Sequence, residues 1–600
     1  MSDSTITLVM LAVAVAAFIW NKLPVEAVAL GVALALFGTG IISADEAYSG
    51  FGSGTVVLIA ALFVVAEAID AAGITTWLGG LLIRFSGSSR TRLLALTMGI
   101  TAVLTAFISV NGAVAALLPM VVVLAVRLGR EPAQLLMPMA FAAHAGSLLV
   151  LTGSPVNILI LEAALDSTGH GIGFFEFGLV GLPLLLGTIG LALWLGPKLI
   201  PHREPDALPR DLSSHGETLM RHHLGDDGLS RLAVPAGSGL IGQPSVDPLA
   251  DHPEGLFLIG VQDRFGRPSA APLLAEGDQV IVRGEQGIID AFASSQGMIQ
   301  NADSTCGLIS SSFGVAEVVV PPRSDMIGVE AYPGMITESG ALVVLAHQRP
   351  GRQARSGRVA IAAGDTLLLQ GSWKSLDQHT VDHKVILVDS PDAVRRQAVP
   401  LGPGAIPALA VLAAMVVLLT TNIVPAPIAA LLAAIAMVLL RVITPGQAHR
   451  SMAWQTLILV AGMIPLSTAI TSTGTAATIA EGVVSAVGNS GPLVLMAAIF
   501  AITAVLGQLI SNTATALIII PIALSIAGES GINPITILMC VSVASAAALL
   551  TPVATPANMM IMQPAGYRFG DYWKFGLAIM ALYAVVALFL VPVIWPLGAS

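Results

Sequence analysis

The chain has 600 residues, 55% hydrophobic and 11% charged, with a formal net charge of −10 and mean hydropathy +0.84. A soluble protein carries about 25% charged residues, and apolar runs of 18 or more residues recur at both ends, so a soluble enzyme is excluded in favour of a polytopic membrane protein. The acidic excess lies mainly outside those runs and speaks for no nucleic-acid partner, and two cysteines, Cys306 and Cys540, make no disulfide framework and read as packing residues.

In chain order, residues 5–20 are apolar but lack a basic leader and a small-residue cleavage site, so they read as a retained helix. Further spans are expected at 24–38, 55–72, 132–164 (with a break) and 173–195. Residues 93–126 are too long for one crossing and are interrupted by Ser109-Val110-Asn111-Gly112. They read as a re-entrant hairpin, whose irregular tip is tolerable only where protein or a cavity satisfies its backbone.

The second half repeats this order: 405–419, 425–440, 456–471, a hairpin at 492–525, a broken helix at 534–560, and 575–595. Ile100–Ser109 and Ile502–Ser511 are identical at seven of ten positions, and a proline follows ten residues later in both (Pro119, Pro521). Pro24 matches Pro425, Thr55 matches Thr456, Gly73 matches Gly474 and Pro155 matches Pro556 at an offset of 401, with the hairpins at 402. A long internal repeat with polar residues at matched apolar depth is the pattern of a secondary transporter with its site at the midplane.

Basic residues set the expected orientation. Lys22, Arg84, Arg90, Arg92, Arg127, Arg130 and Lys198 fall on one side of the first half, and Arg441, Arg450, Arg568 and Lys574 fall on that side of the second. The opposite loops contain no Lys or Arg, so the basic side is expected to be cytoplasmic. Each half then has an odd number of crossings, the halves are inverted, and both termini are external. The expected location is the cell inner (plasma) membrane.

Between the halves, residues 201–399 become polar and rich in Gly and Pro. A smaller repeat lies inside: Val234–Gly242 matches Val320–Gly328, and Gly277-Asp278 matches Gly364-Asp365, each before a strand-like run. Two small cytoplasmic α+β modules are expected, about 225–298 and 312–380. They contain no nucleophile–base pair, metal cluster or P-loop.

The chemistry sits in the hairpin tips and the breaks. An unpaired polar group in hydrocarbon costs several kcal/mol, so Ser109, Asn111, Ser511, Asn512 and Thr513 need partners. Isolated hydroxyls in spans usually serve helix packing; two matched knots inside hairpin-length segments point to a site. Leu151-Thr152-Gly153-Ser154-Pro155-Val156-Asn157 and Val553-Ala554-Thr555-Pro556-Ala557-Asn558 interrupt matched spans. The half-helix after each break presents free N–H groups to an anion, and freed carbonyls can take a cation.

Together, the paired hairpins and the broken helices resemble the divalent-anion/sodium symporter family within the ion transporter superfamily, over roughly residues 1–200 and 400–600. The insert resembles, in tandem, the C-terminal ligand-binding domain of regulators of potassium conductance (RCK-C). The resemblance implies a homodimer working by an elevator motion and two sodium sites flanking one anion site. By position, substrate would meet Asn111, Asn512, Thr513 and the turns at Pro155 and Pro556. One sodium site would use Thr105, Ser109 and Gly153; the other would use Gly507, Ile510, Asn512 and Ala554. The insert would bind a small ligand and regulate transport. The first motif departs from Ser-Asn-Thr, because Val110 stands where the family has an amide, and Gly507 lacks the usual hydroxyl.

No Arg or Lys lies at mid-depth in any expected span. Titratable candidates for a proton route are Glu67 and Asp70, which read as a solvated face, and His144, which reads first as a packed histidine. The leading expectation is sodium-coupled symport of a small dianion such as sulfate or a dicarboxylate. Proton coupling or antiport stays open, and a ligand-gated channel is a weaker alternative, since two inverted repeats suit alternating access better than a multimeric carbonyl filter. No span shows an acid–base or metal constellation that would suggest an enzyme.

Overall fold

The structure, a computed structural model, describes residues 2–20, 22–86, 89–203, 219, 228–243, 257–263, 273–300, 313–332, 335–337, 341–349, 359–373, 375–376, 385–388, 404–421, 423–487 and 491–598. The chain divides into two compact units, Met1–Arg210 with Gly404–Ser600, and Asp211–Pro403. Cys306 lies outside the described residues.

The first unit is helical. Its first half runs Asp3–Trp20, Val25–Gly38, Ala44–Ser49, Gly54–Ala71, Ile74–Ser86, then a hairpin of Arg90–Phe107 and Val110–Arg127. A broken helix follows, made of Ala133–Gly146, a 3-10 turn at Leu151–Gly153 and Pro155–Thr168, and Gly178–Trp194 closes the half. The second half repeats each element: Ala405–Thr421, Ala426–Leu439, Pro445–Ser451, Trp454–Ser472, Thr475–Val487, and a hairpin of Pro492–Leu506 and Asn512–Ser530. Its broken helix is Pro534–Ser545, Pro552–Ala554 and Pro556–Met562, and its last helical run extends over Phe569–Ile594. Six described helical runs are long and apolar enough to cross a bilayer.

Both expected hairpins and both expected breaks are present. The breaks are wider than a proline kink, because the chain leaves the α-helix at Gly146 and Ser545 and re-enters it only at Pro155 and Pro556. Proline suits the re-entry point, where its missing N–H costs no helix bond. Further helices among the described residues carry no span signal in the sequence. Ile74–Ser86 and Thr475–Val487 follow Gly73 and Gly474, which turn the chain at φ 79° and 73°. Their apolar residues are too interleaved with Thr, Gly and charge to read as spans. Ala44–Ser49 and Pro445–Ser451 are short helices, each opened by a capping box, Ser43 with Glu46 and Thr444 with Gln447.

Glycine sets the closest helix approaches. A Cβ on Gly146 would lie 2.5 Å from Ala102 Cα, so the hairpin and broken helix of the first half meet backbone to backbone. A Cβ on Gly181 would stand 2.2 Å from the Leu148 carbonyl oxygen, and one on Gly576 would stand 2.2 Å from that of Leu549. The closing helix of each half therefore lies directly on the break of its own half. Cys540 is fully buried, as a packing residue would be.

The second unit carries two four-stranded antiparallel sheets, ordered β2-β3-β1-β4 and β10-β5-β9-β7. The first comprises Gly228–Ala233 (β1), Phe257–Gln262 (β2), Gln279–Gly284 (β3) and Ile299–Gln300 (β4), with helix Gln286–Ser295 against it. The second comprises Phe313–Val319 (β5), Leu342–Gln348 (β7), Thr366–Ser372 (β9) and Ile386–Leu387 (β10); Glu330–Ala331 (β6) and Val359–Ala360 (β8) pair separately. The duplication extends to detail. The second strand of each sheet bulges at the same place, between Leu258 and Gly260 and between Val344 and Ala346. In each Gly-Asp turn a carboxylate takes the N–H three residues upstream at 2.8 Å, Asp278 from Ala275 and Asp365 from Ala362. The short edge strands β4 and β10 fall beyond the expected ends at 298 and 380, being too brief to show a period.

In the second sheet Asp365 is nearly fully buried, and its oxygens take bonds from Arg349 at 2.7 and 2.8 Å and pair with His347 Nε2 at 2.8 Å. Burial pushes this carboxyl up, but the Arg349 guanidinium, the Ala362 N–H and His347 outweigh burial and hold it well below the usual carboxylate range. The two sheets share a small core that includes Ile281, Val315, Val343 and Leu368, beside which Gln262 Nε2 donates to Gln370 Oε1 at 3.2 Å.

Candidate site at the hairpin tips and broken helices

Each break is stapled by one asparagine. Asn157 Nδ2 donates back to the carbonyls of Ser147 (2.8 Å) and Val150 (3.1 Å). Asn558 Nδ2 does the same to Ala548 (2.9 Å) and Thr551 (3.2 Å). Both residues are fully buried. The unwound backbone has lost its helical partners, and these amides restore two bonds per break where water is scarce.

The oxygen of each amide is held by the opposite half. Ser542 donates to Asn157 Oδ1 at 3.2 Å, while His144 Nε2 stands 3.4 Å from Asn558 Oδ1 and 3.3 Å from Thr555 Oγ1. The halves therefore brace each other's breaks reciprocally. His144 is 1% exposed and serves this brace, in line with its reading as a packed histidine.

The tips join the same network. Ser109 Oγ accepts from Gly112 N–H at 3.2 Å and Ser511 Oγ from Ala514 N–H at 3.3 Å, so each serine caps the returning hairpin helix. Ser109 does so at φ 153°, ψ 163°, a conformation costly for a residue with a side chain, whereas Ser511 is ordinary at φ −62°. Asn111 Oδ1 accepts the Ala557 N–H at 3.1 Å, so the first tip touches the N-terminus of the half-helix that begins at Pro556. Asn111 is itself exposed.

Tip and break also meet within each half. Thr152 donates to the Ala106 carbonyl at 2.9 Å. In the second half Gln508 does more: Nε2 donates to Ala504 O (3.0 Å) and Ala547 O (2.9 Å), while Oε1 accepts Leu550 N–H at 2.8 Å. Thr551 adds a bond to the Gln508 carbonyl at 3.4 Å.

Of the residues singled out from sequence, Asn111 reaches the turn at Pro556 through the Ala557 N–H. Thr105 is buried and donates to Thr101 O at 2.8 Å; Gly153, Gly507, Ile510 and Ala554 are buried backbone at the junctions. Asn512 and Thr513 open the second returning helix and are half-buried; that helix packs against Pro155–Thr168. Asn512 Oδ1 has no hydrogen-bond partner. Glu67 and Asp70 are half-buried rather than solvated, and Asp70 Oδ1 accepts from Thr75 at 2.7 Å. Among the described residues no three His, Cys, Asp or Glu side chains converge as a metal site would need.

Asn157 and Asn558 close the two break motifs of the sequence, which assigns them no role of their own, and Gln508 belongs to no motif. The two asparagines sit at the repeat offset of 401, which was a usable signal; Gln508 faces Ala106 in the alignment of the hairpins and carries none.

The sequence profile of a citrate transporter family, CitMHS, matches residues 15–528 and 484–598. An uncharacterized transporter of Escherichia coli strain K12, YfbS, is 30% identical over 605 residues, covering 98% of both chains. A probable sodium/sulfate cotransporter 3 of Chlamydomonas reinhardtii is 24% identical over 238 residues, 39% of this chain and 26% of that one. The crystal structure of the Alcanivorax borkumensis YdaH transporter aligns over 94% of this chain and 90% of its own, with a TM-score of 0.45 and 12% identity.

Proposed function

This chain belongs to the CitMHS citrate transporter family, and from that premise we propose that it is a secondary transporter that couples sodium to the symport of a small multivalent oxyanion, with sulfate first and dicarboxylates or citrate next. The observation that carries this is the reciprocal brace, in which Asn157 is held by Ser542, Asn558 by His144, and the Ala557 N–H by Asn111. Two breaks and a polar tip thereby share one network, where half-helix N-termini and amide donors suit an anion without Arg or Lys. The partial matches to sodium/sulfate cotransporters favour sulfate and sodium over other pairs.

In this reading the anion meets Asn111, Asn512, Thr513 and the turns at Pro155 and Pro556. The coupling ion is drawn to a junction of tip and break, where Thr105, Ser109 and Gly153, or Gly507, Ile510, Asn512 and Ala554, offer oxygens. The transporter works as a homodimer by an elevator motion in the inner membrane, with both termini external. The duplicated insert is a cytoplasmic pair of RCK-C-like modules that senses a small ligand and sets the transport rate.

Uptake of labelled sulfate, succinate and citrate into proteoliposomes, with and without an inward sodium gradient, tests it. Sodium-stimulated uptake of at least one anion, lost in Asn512→Ala, is expected. Equal uptake in choline under an imposed pH gradient would instead favour proton coupling, for which His144 beside Thr555 and Asn558 is the group at hand.

A further inference from the structure

Two buried oxygens in the second hairpin lack hydrogen-bond partners: Asn512 Oδ1 and Thr515 Oγ1. Thr515 is fully buried. The two residues stand three apart in the first turn of Asn512–Ser530, so they share a helix face with Cβ atoms about 5–6 Å apart. A Thr hydroxyl in a buried helix ordinarily bonds the carbonyl four residues back, as Thr97, Thr101, Thr105 and Thr503 all do. Thr515 makes no such bond. A stranded buried polar group is costly, and two on one face of a tip call for a shared partner.

The first half offers no equivalent. At the hairpin offset of 402, Asn512 corresponds to Val110 and Thr515 to Ala113, so both oxygens are replaced by hydrocarbon. The amide one residue on, Asn111, already spends its oxygen on the Ala557 N–H, and the Thr105 hydroxyl is turned to Thr101 O. The second half alone also has the Gln508 brace, which fixes its tip against Ala547 and Leu550; Ala106 stands in that place in the first half and has no side chain to do so.

An amide carbonyl and a hydroxyl, in a hairpin whose sequence has no Asp or Glu from Pro492 to Gly528, suit a hard monovalent cation and disfavour calcium or magnesium, which draw on carboxylates. We infer that the chain holds a single coupling-cation site, in the second half, with Asn512 Oδ1 and Thr515 Oγ1 as its side-chain ligands, and that the first half holds none. The inference rests on the sodium-coupled reading above and narrows it from two ions to one. It makes Thr515 a sodium ligand that the family resemblance does not supply.

Equilibrium binding of radiolabelled sodium to the purified full-length protein tests it, with thermal stability in choline chloride confirming that each variant is folded. One sodium per chain is expected. Thr515→Val and Asn512→Ala should each weaken binding at least tenfold, and Thr515→Ser should restore it to within about twofold. Sodium activation of uptake should have a Hill coefficient near 1. Two sodium ions per chain with sodium-stimulated uptake would overturn the single-site inference and leave the symporter reading standing, and so would a folded Thr515→Val that binds sodium as the parent does. No bound sodium and no sodium stimulation would remove the symporter reading and the inference with it.

Discussion

Replacing Asn558 with alanine removes the amide that staples the second break. Its Nδ2 is the partner of two carbonyls, Ala548 O and Thr551 O, at a fully buried position. Stranding a buried acceptor costs about 1–3 kcal/mol, so the two together lower stability by about 2–6 kcal/mol. With an unfolding entropy of about 2.1 cal/mol/K per residue over the roughly 400 residues of the helical unit, that is a fall in Tm of about 2–7 °C. Asn157→Ala should behave alike, because Ser147 O and Val150 O lose the same support. Asn111→Ala is the contrast: an exposed side chain with one bond to Ala557 should shift Tm by about 1 °C or less and act on transport instead. Thermal unfolding of the detergent-purified variants, followed by fluorescence-detected size exclusion, reads all three. An Asn558→Ala protein that melts with the parent yet fails to transport would refute the staple and turn Asn558 into a substrate ligand.

Gly181→Ala and Gly576→Ala each push a methyl to 2.2 Å from a backbone carbonyl and should destabilise by about 1–3 kcal/mol, whereas Gly190→Ala, with nothing within 4 Å, should be neutral in the same melt. Gln508→Ala strands Leu550 N–H and Ala547 O at about 1–3 kcal/mol each. Gln508→Glu should not rescue it, because a carboxylate cannot donate to the two carbonyls; uptake normalised to folded protein checks both. In the inserted unit, Asp365→Asn breaks the contacts with Arg349 and should speed limited proteolysis between β7 and β9 of the intact chain. The pH dependence has a definite sign. A carboxyl whose folded pKa is depressed adds stability above its unfolded value near 3.9 and loses it as pH falls through the folded value. The wild-type contribution should therefore be constant from pH 5 to 8, judged by the same proteolysis, and fade only in strong acid.

Much of the helical architecture could be seen before the structure, and the reason is repetition. Ile100–Pro119 and Ile502–Pro521 announce the hairpins, and Pro155 with Pro556 announces the breaks, because chance rarely places the same interruption twice at matched depth. The helices at Ile74–Ser86 and Thr475–Val487 give no span signal because they are amphipathic and short of spanning length, although Gly73 and Gly474 mark where they begin. The site was legible in its backbone and less so in its side chains. Asn111 was singled out through its tip motif, but its partner, the Ala557 N–H, lies 446 residues away, and no local pattern reports such a pairing. Gln508 carries no signal for the opposite reason: its bonds are with neighbours in space, and its counterpart Ala106 breaks the repeat at that position.

The crossed bracing of the two breaks sets an order on biogenesis. Asn157 leaves the ribosome 385 residues before the Ser542 hydroxyl that will hold its oxygen. At about 5–20 residues per second that is a wait of roughly 20–80 s. Through that interval the early half has its own amide to close its break and nothing to fix the amide's far end. A first half synthesised alone should therefore insert and then be degraded, and supplying residues 404–600 as a separate chain should rescue it.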